Sequence, residues 1–285
     1  MTSNFDHISV LRDYFNSKNF HPKKHFGQNF LVDKNYIPLM IKAANLKSTD
    51  VVLEVGPGGG ILTRALIKTG CQTVSVEIDN GLVDMADDLI GQHDNWQLVH
   101  SDVMEKKSQL NKTVLEALNL KEDENLVCIA NLPYAIITPF LITLIQTIPQ
   151  LTNITVLIQA EIGEKICSKP NTKIYGILSV IINTWGKPTI IKKVSPQAFW
   201  PQPKVTSSIV SITKSQKSLD IDYTAFGNFV KEMFIHRRKK ITQNLKTFCP
   251  DPITFLESLD LHVDSRPENI SPEKWLEIFQ NLKLQ

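Results

Sequence analysis

The sequence predicts an α/β protein: a mostly parallel seven-stranded sheet followed by a small all-helical C-terminal domain. Three observations carry this. Short β-branched runs alternate with helical patterns from residue 51 to about 213, the rhythm of a parallel sheet with right-handed crossovers. The first of these runs stops at Gly56-Pro57-Gly58-Gly59-Gly60, which only a turn can use. From Tyr223 onward, helical periodicity alone remains.

The elements follow in order. Residues 51–55 form the first expected strand, and Leu62, Leu66 and Ile67 share one face of the helix after it. Residues 73–77 and 96–99 are the next strands, with a helix over 82–90 between them. Residues 126–130 and 154–158 are the fourth and fifth, separated by a helix over 140–148. Residues 189–194 and 205–213, joined by a proline-rich loop, read as a hairpin that closes the sheet. The polar stretch 215–220 reads as a linker. This divides the chain into an N-terminal arm (1–22, a helix or a loose segment), a sheet domain (23–214) and a helical domain (215–285).

Composition narrows the function classes. A chain of 285 residues can hold one large domain and one small one, and 31 basic against 29 acidic residues leave a net charge of only +2. Any contact with nucleic acid must therefore rest on local clusters. Cys71, Cys128, Cys167 and Cys249 lie far apart without a C-x-x-C pair, so reduced thiols are expected, with no disulfide framework and no metal site. No apolar run is long enough to span a membrane, and the first residues lack a signal-peptide core. A soluble cytoplasmic protein is expected.

Ligands of open parallel sheets sit at the carboxyl ends of the strands, and three signals fall there. Glu54-Val55-Gly56-Pro57-Gly58 ends the first strand, Glu77 ends the second, 21 residues after Gly56, and Asp102 follows the third. Gly56 and Gly58 let the backbone approach a ligand closely. A carboxylate at Glu77 can accept both hydroxyls of a ribose, and Asp102 can accept from an adenine amine. A dinucleotide fingerprint would need a glycine where Ile61 stands, and no phosphate-binding G-K-[ST] follows. An adenosine ligand without phosphate fits best, and S-adenosyl-L-methionine is such a ligand.

The fourth strand runs into Asn131-Leu132-Pro133-Tyr134. The exocyclic nitrogen of adenine is a poor nucleophile because its lone pair is delocalised into the ring. The Asn131 side-chain oxygen and the Leu132 carbonyl can accept its two hydrogens and turn the lone pair toward a methyl donor. Pro133 stiffens the turn and offers no competing N–H. Tyr134 can stack on a base extruded from its helix.

At these residues the chain resembles the small-subunit ribosomal RNA adenine dimethyltransferase family, the kasugamycin-sensitivity enzymes. The resemblance covers roughly residues 23–275. It also rests on Lys24-His25-Phe26-Gly27-Gln28-Asn29-Phe30-Leu31, Asn171-Thr172-Lys173-Ile174-Tyr175-Gly176, Ala198-Phe199-Trp200-Pro201-Gln202-Pro203-Lys204-Val205, His236-Arg237-Arg238-Lys239-Lys240 and Arg266-Pro267-Glu268-Asn269-Ile270-Ser271. It implies a Rossmann-like S-adenosylmethionine-dependent methyltransferase domain with a helical C-terminal domain. It implies dimethylation of two adjacent adenosines near the 3′ end of 16S rRNA; the expected partner is an immature small subunit, and the expected state is a monomer. It places Asn29, Leu31, Gly56, Glu77, Asp102 and Asn131 around the cofactor, and Phe199 as a second aromatic wall for the base held by Asn131, Leu132, Pro133 and Tyr134. The chain departs from the family pattern at Ala135, where an Asn is usual, and at Ala130, where Gly is common.

RNA contacts are expected from Lys23 and Lys24, from Lys204, and from Arg237, Arg238, Lys239 and Lys240, the last four on a helix whose apolar face carries Phe234, Ile241 and Leu245. Other readings share part of this pattern. A large-subunit rRNA adenine methyltransferase of the macrolide-resistance type has the same cofactor and Asn-Leu-Pro-Tyr motifs. An assembly factor could act through binding alone. A DNA adenine methyltransferase would need a recognition domain of useful size, and a dinucleotide oxidoreductase would need a glycine in place of Ile61.

Overall fold

The computed structural model of the chain describes residues 7–23, 27–215 and 221–282. Its elements in chain order are α1 (His7–Ser17), β1 (Phe30–Leu31), α2 (Ile37–Ala44), β2 (Val51–Val55), α3 (Ile61–Ile67), β3 (Gln72–Glu77), α4 (Asn80–Ile90), β4 (Trp96–His100), β5 (Met104–Lys106), β6 (Gln109–Leu110), α5 (Lys112–Leu118), β7 (Leu126–Asn131), α6 (Ile137–Thr147), β8 (Leu151–Gln159) and α7 (Ala160–Ile166). They continue with α8 (Ile177–Trp185), β9 (Gly186–Val194), β10 (Phe199–Trp200), β11 (Ser207–Lys214), α9 (Tyr223–Ile235), α10 (Ile241–Leu245), α11 (Pro252–Ser258) and α12 (Pro272–Asn281).

Seven strands form one sheet in the order β4-β3-β2-β7-β8-β11-β9. The pairs β2–β3, β3–β4, β2–β7 and β7–β8 are parallel, and β11 runs antiparallel to β8. All five residues of β2 are buried, the signature of a parallel strand covered on both faces. The order reverses at β2, with β3 on one side and β7 on the other, so a crevice opens where these strands end. A short strand pair lies apart from the main sheet: Phe30 faces Trp200 and Leu31 faces Phe199.

Helix α1 is docked in this part of the chain. Leu11 and Phe15 are buried with Phe30, Leu82 and Met85, and the Phe15 ring meets that of Phe30 edge-on at 5.5 Å. Burial of each such side chain is worth about 1.5–3 kcal/mol. Of the two alternatives for the N-terminal arm, the described part takes the helix.

The described residues fall into two compact units, one from 1–163 and 189–213, the other from 164–188 and 214–285. The division expected at 214/215 thus needs one amendment, because residues 164–188 cluster with the C-terminal helices. The cause is apolar: α8 buries six of its nine residues, and Val180 shares a core with Phe226, Phe229, Trp275 and Phe279. Tyr175 is buried in the same core and donates its hydroxyl hydrogen to the Ile270 carbonyl at 2.8 Å. Most of the linker expected at 215–220 lies outside the described residues. No described helix is long and apolar enough to cross a membrane.

Candidate active site

A cleft of about 230 Å³ opens at the ends of β2, β3, β4 and β7. Gly27, Gln28, Asn29, Gly56, Gly58, Glu77, Asp102 and the turn from Asn131 to Ile136 all line it. Their convergence follows from topology: β2, β3 and β7 are adjacent and parallel, so the residues just beyond them meet.

The glycine turn after β2 has positive φ at Gly56 (74°), Gly58 (50°) and Gly60 (74°), which β-carbon-bearing residues rarely adopt. A β-carbon at Gly58 would also stand only 2.9 Å from the Phe30 ring. Glu77 is 6% exposed. Its Oε1 accepts from the N–H groups of Ile78 and Asp79 at 2.9 and 3.0 Å, which leaves Oε2 for the cleft. Burial raises its pKa to about 7 against these two bonds. The exposed Asp102 accepts from the Met104 N–H at 2.9 Å through Oδ1 only. Between the acids lie Val76, Ile78, Leu82 and Val103, an apolar lining for a flat ring.

Beneath the glycine turn lies Glu54, 1% exposed. Thr63 and Ser75 donate their hydroxyl hydrogens to its Oε2 at 2.8 and 2.5 Å. Its Oε1 has no partner among the described residues, and burial raises this carboxyl to about 7 as well.

The turn after β7 is built around Asn131. Its Nδ2 donates to the Asn29 carbonyl at 3.0 Å, so Oδ1 is the atom left to accept from a ligand. The next residues turn back, with the Ile136 N–H on the Pro133 carbonyl at 3.2 Å, and present Pro133 and Tyr134 to the cleft. The Tyr134 hydroxyl and the Ser207 hydroxyl are hydrogen-bonded at 3.0 Å, which holds the ring at its far end. Ala135 lines the same cleft, so the family's usual Asn would be a lining residue.

Two expected site residues stand elsewhere. Phe199 is 4% exposed and packs in the core with Leu31, Ile37 and Val194, and it does not line the cleft. In the two-residue β10 its backbone pairs with Leu31, and its ring is committed to that core. Leu31 is likewise buried and borders a smaller adjoining cavity with Glu54, Gly56, Gly58 and Asn131.

The expected RNA-binding cations divide. Lys23 forms an ion pair with the buried Asp79 at 2.9 Å, and Lys24 lies outside the described residues. Arg237 donates from Nε to Glu268 at 2.7 Å and from Nη2 to the Lys173 carbonyl at 2.8 Å, and Lys240 pairs with Asp264 at 2.5 Å. Lys204, Arg238 and Lys239 are exposed. The run Arg237–Lys240 was expected on a helix. It instead occupies the turn between α9 and α10, while Ile241 and Leu245 are buried as anticipated. The turn closes on backbone bonds from the Arg237 N–H to the Phe234 carbonyl and from the Lys239 N–H to the His236 carbonyl, and its cations reach Glu268 and Asp264.

A sheet of this order, with a glycine turn, a ribose-type acid and an Asn-Leu-Pro-Tyr turn around one cleft, defines a Rossmann-like methyltransferase. The family description "Ribosomal RNA adenine dimethylase" matches residues 19–284. The chain belongs to that family and is an rRNA adenine dimethyltransferase. It is 34% identical over 283 residues to ribosomal RNA small subunit methyltransferase A of Lactobacillus delbrueckii subsp. bulgaricus, a match covering 95% of this chain and 93% of the relative. The protein of that name from Thermotoga neapolitana is 33% identical over 267 residues, 94% of each chain. Among solved structures, a dimethyladenosine transferase from Plasmodium falciparum superposes with a TM-score of 0.72 at 22% identity, covering 87% of this chain and 96% of that one. The 23S rRNA methyltransferase ErmE superposes with 0.67 at 24%, covering 90% and 100%. The fold is thus shared with a dimethyladenosine transferase and with a 23S rRNA methyltransferase.

Proposed function

We propose that this enzyme uses S-adenosyl-L-methionine to dimethylate the exocyclic amines of two adjacent adenosines near the 3′ end of 16S rRNA. It acts as a monomer on immature small subunits in the cytoplasm. The observation that carries the chemistry is the orientation of Asn131, whose Nδ2 is taken by the Asn29 carbonyl and whose Oδ1 is left for an amine hydrogen. The choice of the small subunit rests on the names of the relatives.

The cleft suits the cofactor on its own features. Glu77 keeps one carboxylate oxygen for the ribose hydroxyls, Asp102 keeps one for the adenine amine, and Gly56 and Gly58 admit the methionine portion past the backbone. When bound, the cofactor supplies a methyl group already activated as a sulfonium. The protein's part is then positional. Asn131 Oδ1 and the Leu132 carbonyl accept the two amine hydrogens and aim the nitrogen lone pair. Tyr134, held by Ser207, stacks on the base, and the apolar lining excludes water. The amine proton leaves after charge has developed on nitrogen, so no side chain need take it in the transition state. Lys204, Arg238 and Lys239 are the exposed cations that meet phosphates.

The test is transfer of labelled methyl groups to unmodified small subunits, with large subunits and duplex DNA alongside. N6,N6-dimethyladenine in the small-subunit RNA is expected. Label confined to large subunits would replace this reading with the resistance-type enzyme. RNA binding without transfer would leave an assembly factor.

A further inference from the structure

The segment that reaches the catalytic turn is held from behind by a buried acid. Asp79 is 1% exposed, two residues beyond Glu77. Gln28 Nε2 donates to its Oδ2 at 2.9 Å, and the Lys23 ammonium stands 3.0 Å from Oδ1 and 2.9 Å from Oδ2. The Lys23 backbone N–H closes the group by donating to Gln28 Oε1 at 2.6 Å. Burial pushes the Asp79 carboxyl up, but the bonds from Lys23 and Gln28 outweigh it and hold it below the usual range. Asp79 also caps α4 by accepting from the Gly81 N–H at 3.0 Å.

The same segment touches the Asn-Leu-Pro-Tyr turn at two points. The Asn29 carbonyl takes Asn131 Nδ2, and the Asn29 side chain is itself tied to the Gly27 carbonyl at 3.1 Å. Gly27, with φ of 64°, lies so close that a β-carbon there would stand 3.5 Å from the Tyr134 nitrogen. An amide side chain presents either its oxygen or its NH2 group to a given direction, and its partners decide which. If the Asn29 carbonyl withdraws, Asn131 loses the acceptor that holds its NH2 group among the described residues and can turn that group toward the adenine amine, donor against donor.

We infer that the Lys23–Gln28–Asp79 clamp is a positioning device for methyl transfer, fixing the Asn29 carbonyl so that Asn131 presents Oδ1 to the substrate amine. Lys23, Gln28 and Asp79 are positioning residues in this scheme. The clamp resists opening because withdrawal of Lys23 and Gln28 strips a buried carboxylate of its compensating charge. The inference rests on the proposed transfer to adenine, and its test separates the two.

Lys23→Met keeps the aliphatic stem of a half-exposed side chain and removes the charge, and Lys23→Arg restores it. With saturating cofactor and small subunits, kcat of Lys23→Met is expected to fall about tenfold, the scale of a small misplacement of a reacting group. Its Tm should fall, because Asp79 keeps a buried charge without its partner, while its dissociation constant for S-adenosylmethionine should stay within about twofold, since the ribose acceptor is intact; Lys23→Arg should recover most of the rate and of the Tm. Unchanged kcat with a raised KM for the subunit would make Lys23 a phosphate contact and overturn the inference. A fall in kcat that is matched by a similar loss of S-adenosylmethionine affinity, or that Lys23→Arg does not recover, would also overturn it. Amide hydrogen exchange of the free protein decides without substrate: faster exchange across 27–31 in Lys23→Met supports the clamp, and unchanged exchange refutes it. A wild-type enzyme silent on small subunits would refute the proposed substrate and leave the exchange result to judge the clamp.

Discussion

Glu77 and Asp79 leave the same turn, two residues apart and almost equally buried, yet their carboxyl groups move in opposite directions. Burial lifts Glu77 to about 7, and two backbone N–H groups and the nearby His100 ring oppose it without cancelling it. Asp79 meets the same burial, but Lys23 and Gln28 more than cancel it. The difference assigns each a task. An acid left under-compensated is ready to take hydroxyl donors from a ligand, and one already satisfied is an anchor. Glu54, beneath the glycine turn, is likewise under-compensated, with one oxygen unpartnered among the described residues.

The largest effect should come from relieving that under-compensation. The Glu54 pKa is raised from the ordinary carboxylate value to about 7. Its contribution to stability is therefore full below the ordinary value and is lost as pH rises through 7. Glu54→Gln should then stabilise the protein at pH 8 by on the order of 2–3 kcal/mol, seen as a Tm raised by several degrees, with no gain near pH 4. Equal Tm changes at both pH values would show that Glu54 is not buried as a strained acid.

Glu77→Gln sharpens the ligand half of the contrast. Loss of a charged acceptor for two hydroxyls should weaken S-adenosylmethionine binding about thirtyfold. In the wild type, affinity should fall as pH drops below about 7, because the bound form needs the carboxylate and the free form takes up a proton there. The Glu77→Gln variant should be flat across that range in calorimetric titration. A wild type equally flat would remove Glu77 from the ribose.

The smallest effects separate the cations of the turn between α9 and α10. Arg237→Ala breaks the bonds to Glu268 and Lys173 and should cost about 1 kcal/mol in denaturant melts. Lys239→Ala should leave stability untouched and reduce by about one the slope of log affinity against log salt for the RNA. If both variants alter only the salt slope, the internal bonds of Arg237 carry no weight.

What was legible in the chain followed from local rules. Strand ends position ligand groups in a parallel sheet, so Gly56, Glu77, Asp102 and Asn131 could be brought together from the rhythm of the elements alone. What was not legible depended on partners distant in sequence. Lys23 reads as a basic residue beside Lys24 until Asp79, 56 positions on, is found against it. Arg237 reads as part of a basic helix face until Glu268 and Lys173 claim it. Phe199 lies in a motif of the expected kind, but pairing of β10 with β1 commits it to the core. The apolar α8 alternates with strands like any crossover helix, and only the aromatic core around Trp275 explains why it clusters with the C-terminal helices.

The account stands most directly on Asn131. The decisive measurement is single-turnover methyl transfer by Asn131→Ala to unmodified small subunits, with cofactor affinity measured on the same preparation. The arrangement of the Asn29 carbonyl and the amide predicts a fall of at least about a hundredfold in the transfer rate, as acceptor and alignment are both lost, with cofactor affinity within about tenfold. A variant that transfers at near the wild-type rate would contradict the claim that this side chain holds the amine.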